Sequence, residues 1–273
     1  MPYRPDVPAP AAATDTSSAE WLNDEIRLVG TDWVPATAGT RWPAYARVFH
    51  PLDDDDPAAP RWADIARQHG HTMHPGVDWN AIRSRPPMQS FSGRGSPGNP
   101  EWGLLRPHAL TRLCEILRRH TTTPDTCWFA LWEGWGWMHT AANAWLTPFG
   151  GPAIDDPNPP VGEYLNPAAP TFSLPTRTYL LYGGPIDAAP AIGHWPTPSL
   201  FQPQSPSLMW PNDHAWCLAT EVDHDSTLIG GTEAMVAAVT DSPDLEAQEI
   251  AENEPRQDTV NHYPNGADNH DDT

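Results

Sequence analysis

The chain has 273 residues, a formal net charge of −20 and 39% hydrophobic residues, among them 14 Trp. So much apolar surface excludes wholesale disorder. So acidic a chain repels nucleic acid and anionic membrane surfaces, which disfavours both as partners.

Every formal positive charge is Arg; there is no Lys. The 34 Pro are more than twice the roughly 5% of average usage, so long Pro-rich surface loops are expected. Residues 241–273 hold ten acids and one Arg, about half of the acidic excess. No run approaches ~18 uninterrupted apolar residues, so no membrane span is expected. The opening "MPYRPDVPAPAAATDTSS" lacks a basic region followed by an apolar run, so it is not read as a signal peptide. Cys114, Cys127 and Cys217 form no CxxC and sit in apolar contexts, as reduced core cysteines do. These features together predict a cytoplasmic protein.

In chain order, 1–17 reads as a disordered tail. "SSAEWLNDEIRLVG" (17–30) reads as a helix with a Ser17/Glu20 capping box and Gly30 as its stop. "AYARVFH" (44–50) is a strand and "DDDDP" (53–57) a solvated acidic turn. "PRWADIARQHG" (60–70) and "VDWNAI" (77–82) are helices, and 84–103 is a Pro/Gly/Ser loop. The clearest helix is 107–120, because Leu110, Leu113, Cys114 and Leu117 recur on one face.

"CWFALW" (127–132) is short, aromatic and apolar, so it reads as a strand. Alternation sends Trp128, Ala130 and Trp132 to one face and Phe129 and Leu131 to the other. Both faces are apolar, which predicts a central strand covered on both sides. Residues 139–176 and 194–213 read as Pro-rich insertions, with a strand over 178–185 between them. Residues 214–231 read as one or two strands bending near Asp225. "TEAMVAAVTDS" is a helix capped by Thr232, and "DLEAQEI" an edge strand. The expected organisation is one α+β domain over 18–250, with a mainly antiparallel sheet and short helices, then an acidic disordered tail over 251–273.

Chemistry could sit in few places. "DHDSTL" (223–228) has the form D-x-D-x-T-L and resembles the first motif of the haloacid-dehalogenase-like phosphatases. That resemblance implies Asp223 as nucleophile, Asp225 as acid/base and Mg²⁺ as cofactor. In that family the motif stands near the N-terminus with a Lys or Arg downstream; here 46 residues follow Thr227 and no Lys exists. Read as an extended strand, 221–225 places Glu221, Asp223 and Asp225 on one face, facing water or a hard cation. "HGHTMH" offers His69, His71 and His74 for Zn²⁺, against the reading of surface histidines on a turn. "GRGSPG" (93–98) matches GxGxxG but sits in a loop, and a dinucleotide site needs a strand, turn and helix.

The remaining candidates are aromatic. Glu133, Trp135, Trp137, Trp210 and Asp213 lie in or near loops, where indole faces can stack on ligands or pin the loops to a core.

Several blocks are similar to a family of uncharacterised actinobacterial proteins: "YARVFHP", "RWADIA", "MHPGVDW", "TTTPDTCWFALWEGWGW", "YLLYGGPID" and "QSPSLMWPNDHAWCLATEVDHDSTLIGG". The resemblance spans 44–240. It implies one coherent domain in the bacterial cytosol and carries no activity or cofactor with it. With no complete catalytic set, the leading expectation is a non-enzymatic binding protein that engages a basic protein partner and needs no cofactor. The rivals are a Mg²⁺-dependent phosphohydrolase using Asp223 and Asp225, and a carbohydrate or nucleoside binder using the Trp-rich loops.

Overall fold

The computed structural model describes residues 3–26, 33–56, 58–83, 98–138, 165, 168–197 and 200–255. The fold is α+β and its sheets are antiparallel. Along the chain the strands are β1 (Ala11–Ala12), β2 (Ala44–Phe49), β3 (Cys127–Trp132), β4 (Thr171–Leu174), β5 (Arg177–Gly184), β6 (Gly193–Thr197) and β7 (Leu200–Pro203). They continue as β8 (Leu208–Pro211), β9 (Cys217–Ala219), β10 (Ser226–Gly231) and β11 (Ala247–Ile250). The helices are α1 (Leu22–Glu25), α2 (Trp33–Ala38), α3 (Trp62–Gln68), α4 (Trp79–Ile82), α5 (Pro107–Leu117) and α6 (Glu233–Thr240).

Nine strands form the main sheet in the order β1-β5-β3-β8-β9-β10-β2-β11, with β4 also on β5. β6 and β7 pair separately. β3 lies between β5 and β8, with Trp128 opposite Gly183 and Trp210. Its two faces enter different cores. Cys127, Phe129 and Leu131 join α5, α6 and the turn 186–191, whereas Trp128, Ala130 and Trp132 join α1 and α2. The sheet is thus covered on both sides, as the doubly apolar "CWFALW" requires. A third cluster of Phe49, Leu52, Trp62, Val77, Trp79 and Ile82 packs α3 and α4 at the end of β2.

Two helix starts are held by acids from distant segments. Trp62 and Ala63 backbone N–H groups donate to the Glu246 carboxylate, both at 2.7 Å. At α5, which opens with Pro107, the His108 and Ala109 N–H groups donate to Asp54 at 2.7 and 3.0 Å. Asp54 belongs to the turn expected to be solvated, yet it is half-buried. The acid neutralises the unmet donors of the first helical turn.

Other departures are local. Within 17–26 the expected helix is a 3₁₀ turn, Ser17–Ala19, followed by the single turn of α1, because Ile26 is extended; residues 27–30, with the expected stop at Gly30, lie outside the described residues. Ser17 binds Asp15 through its N–H and hydroxyl instead of capping a helix. Residues 3–16, read as a tail, contribute β1, which pairs with Tyr182 and Gly183. Strands β4, β6, β7 and β8 lie inside the stretches read as Pro-rich insertions. Residues 84–97, 139–164 and the tail beyond 255 lie outside the described residues. Cys114, Cys127 and Cys217 are free and buried, and burial pushes all three thiols up, Cys127 and Cys217 to about 12. No helix among the described residues is long and apolar enough to cross a membrane.

Candidate functional site

At one end of the sheet β3 finishes at Trp132, β4 finishes at Leu174 and β5 begins at Arg177. The turn after β9 meets them there. The Arg177 guanidinium lies 4.9 Å from the Trp132 ring centroid. Its Nε donates to Glu221 Oε1 at 2.8 Å, and its NH2 donates to Glu221 and, at 2.7 Å, to Asp223 Oδ2. Burial alone would weaken that charge, but Glu221 and then Asp223 outweigh it and push the Arg177 pKa up. Exposed Glu133 stands beside them, its N–H donating to the Thr178 carbonyl at 2.9 Å.

The local sequence explains the platform. A Cβ at Gly134 would lie 2.1 Å from Trp132 Cζ2, so glycine lets the indole lie against the backbone. Trp135, itself 8% exposed, meets the Trp132 ring edge-on at 5.5 Å. Trp132, Glu133, Gly134, Leu174, Pro175 and Arg177 line an open depression of about 580 Å³.

Beneath this edge runs a buried polar network. Residues 221–225 are not an extended strand: the His224 N–H donates to the Glu221 carbonyl at 3.0 Å, closing a turn. The three acids therefore do not share a face. Asp223 has 72% of its side chain exposed, beside Arg177. Asp225 has 3% exposed and takes its bond from Arg47 NH2 at 3.3 Å. Arg47 also donates to Ser226 Oγ (2.8 Å), the Pro75 carbonyl and the Val77 carbonyl (both 2.7 Å). Next to it His50 is fully buried. The Glu101 carbonyl, 2.6 Å from Nδ1, can only accept, so Nδ1 carries the proton. Nε2 then accepts from Thr227 Oγ1 at 3.0 Å, and the Thr220 hydroxyl donates to Thr227 at 2.9 Å. Burial, with a smaller push from Arg47, outweighs the Glu101 carbonyl and lowers His50 to about 4, so the ring is neutral.

No family model, curated protein or solved structure matches the chain. What the edge can do therefore rests on its geometry.

Of the residues singled out from sequence, the structure brings Glu133, Trp135, Glu221 and Asp223 together. It separates Asp225, which is locked under Arg47. A D-x-D acid/base pair needs both carboxylates at one phosphoryl group, and here each is engaged by a different arginine. Trp137 sits apart from the edge acids, its ring stacked on His194 at 4.9 Å and 7°. Trp210 is fully buried and meets Trp21 edge-on at 6.0 Å. Asp213 lies at the other end of β3 and ties two loops together. It accepts from the Thr121 hydroxyl (2.8 Å), the Thr122 N–H and hydroxyl (both 2.7 Å) and the Ala215 N–H (3.2 Å). Burial acts to raise its pKa, but these donors outweigh it and hold the carboxyl low.

His69, His71 and His74 are exposed. Among the described residues no three or more His, Cys, Asp or Glu side chains are grouped to hold a metal ion. All of "GRGSPG" but Gly98 lies outside the described residues. Sequence reasoning missed Trp132 as a platform and Arg177 as its partner. A signal existed: Arg177 is the only Arg or Lys between Arg119 and Arg256. A lone cation in so acidic a stretch marks a point where carboxylates converge.

Proposed function

We propose that the protein is a binding module whose Trp132–Arg177 edge engages a basic segment of another protein. One observation carries this: Glu221 and Asp223 both bind the single guanidinium of Arg177, and Arg177 lines an open, partly apolar depression together with Glu133. The formal charges of Glu133, Glu221, Asp223 and Arg177 sum to −2. Glu221 holds Arg177 through two of its nitrogens, so Arg177 stays paired if Asp223 turns toward an incoming cation. Leu174 and Pro175 offer apolar contact for the stem of an Arg or Lys side chain. The overall charge of −20 steers a basic partner toward the protein and speeds encounter at low salt.

The test is calorimetric titration with an oligoarginine peptide at low and moderate ionic strength. Saturable binding is expected, weakening as salt rises. The variant Glu133→Gln/Glu221→Gln/Asp223→Asn is expected to bind about tenfold more weakly or worse, a loss of about 1.4 kcal/mol. Equal binding by that variant, with its circular dichroism unchanged, overturns the assignment.

A further inference from the structure

A second depression shares no lining residue with the Arg177 edge. It occupies about 340 Å³, within the range of roughly 300–1,000 Å³ typical of small-molecule sites. The N-terminal segment, α5 and the β6–β7 hairpin each supply one aromatic wall. Tyr3 meets His108 edge-on at 5.6 Å and 87°, and Phe201 at 6.1 Å and 47°.

The charges around these rings select the ligand. Two features would favour an anion, and each already holds a carboxylate, although the Arg106 Nε is buried without a partner among the described residues. The donors opening α5 are taken by Asp54, and Arg106 is paired with Glu101 at 2.9 Å. What remains is Asp55, 3.3 Å from the His108 ring, with both side chains more than half exposed. Three carboxylates, Asp54, Asp55 and Glu101, line the pocket against one guanidinium, so the formal charge of its lining is negative. The same aromatic cluster already holds a cation of the chain itself. Arg4 lies 5.2 Å from the Trp195 ring, which packs on Phe201 at 5.1 Å. Ring faces beside carboxylates are the arrangement that recognises organic ammonium groups.

We propose that the Tyr3–His108–Phe201 pocket binds a small organic cation, an ammonium group bearing an apolar substituent. The apolar part packs on Leu104 and Phe201, and the ammonium faces Asp55. This does not depend on the Arg177 reading, because the two sites share no side chain.

The experiment titrates the full chain near neutral pH with three probes of one shape: benzylammonium, benzyl alcohol and benzoate. Binding is followed by calorimetry and by the ring resonances of Tyr3 and Phe201. Benzylammonium is expected to bind saturably, at least about tenfold tighter than benzyl alcohol, with benzoate weakest. Phe201→Ala and Asp55→Asn should each weaken the ammonium about fivefold or more, while the alcohol responds only to Phe201→Ala. Glu115→Gln, the same charge change on the exposed face of α5, should alter nothing. The proposal fails if the alcohol binds as well as the ammonium or benzoate binds tighter. It also fails if Glu115→Gln matches Asp55→Asn, or if no saturation is seen by about 10 mM.

Discussion

Arginine is the only formally cationic side chain of this protein, and the structure sets it repeatedly on aromatic rings. Arg4, Arg41, Arg47, Arg83 and Arg177 each lie within 6 Å of a Trp or Phe centroid. A planar guanidinium stacks and forks in ways an ammonium does not, so Lys would not serve at these positions. Arg47 is the extreme case, 1% exposed and bonded to two side chains and two carbonyls. Arg47→Met leaves Asp225 charged and buried, and is expected to cost about 3–5 kcal/mol of unfolding free energy. The double variant Arg47→Met/Asp225→Leu should recover much of that loss. A chemical denaturation series checks both, and a double variant no more stable than the single one would refute the pairing argument. His50 sets a pH limit. Its folded pKa, about 4, lies below the ordinary 6.5, so the unfolded chain takes the proton first as pH falls. The stabilising contribution is therefore full above pH 6.5 and lost on the way to 4. That displacement amounts to about 3 kcal/mol. His50→Gln is expected to be destabilising near neutrality, with the gap to the unsubstituted protein clearly narrower at pH 5 and closing toward pH 4. A gap that stays constant between those pH values would remove His50 as the cause.

At the scale of elements, what was legible in the sequence had a local physical cause. The apolar face of α5 follows a 3.6-residue period, and all four of its marker residues are buried. Thr232 caps α6 by accepting the Met235 N–H at 3.2 Å, and two-residue alternation divides β3 between two cores. What was missed depends on partners far away in sequence. β4, β7 and β8 are four-residue strands among prolines, and Pro203 and Pro211 end β7 and β8, where a missing N–H breaks no interior bond. β1 has two residues and exists only as an edge on β5. The acids behaved likewise. Alternation put Glu221, Asp223 and Asp225 on one face only if the segment was extended, and the turn at His224 breaks that premise. Glycine 103 fastens this turn from outside. Its φ is +66°, and a Cβ there would lie 2.8 Å from Val222 Cα and 2.9 Å from its carbonyl oxygen. Backbone cannot step aside as a flexible side chain can, so Gly103→Ala should cost about 1–3 kcal/mol. It should also weaken peptide binding at the Arg177 edge by moving Glu221. A variant with native stability and affinity would show that the loop accommodates a methyl group.

At the scale of the molecule, the sheet has a core covered on both faces and one end where charge and aromatic surface meet. Its connectivity has a consequence in time. Among the described residues β2 pairs only with β10 and β11, and the contact of His50 with Thr227 closes a span of 177 residues. A ribosome adds roughly 5–20 residues per second, so β2 is complete roughly 10–35 s before its first hydrogen-bonding neighbour exists. Throughout that interval Tyr45, Val48 and Phe49, all buried in the finished sheet, have no strand beside them. β2 is thus made as an unpaired, apolar strand and stays open to wrong pairing until β10 arrives.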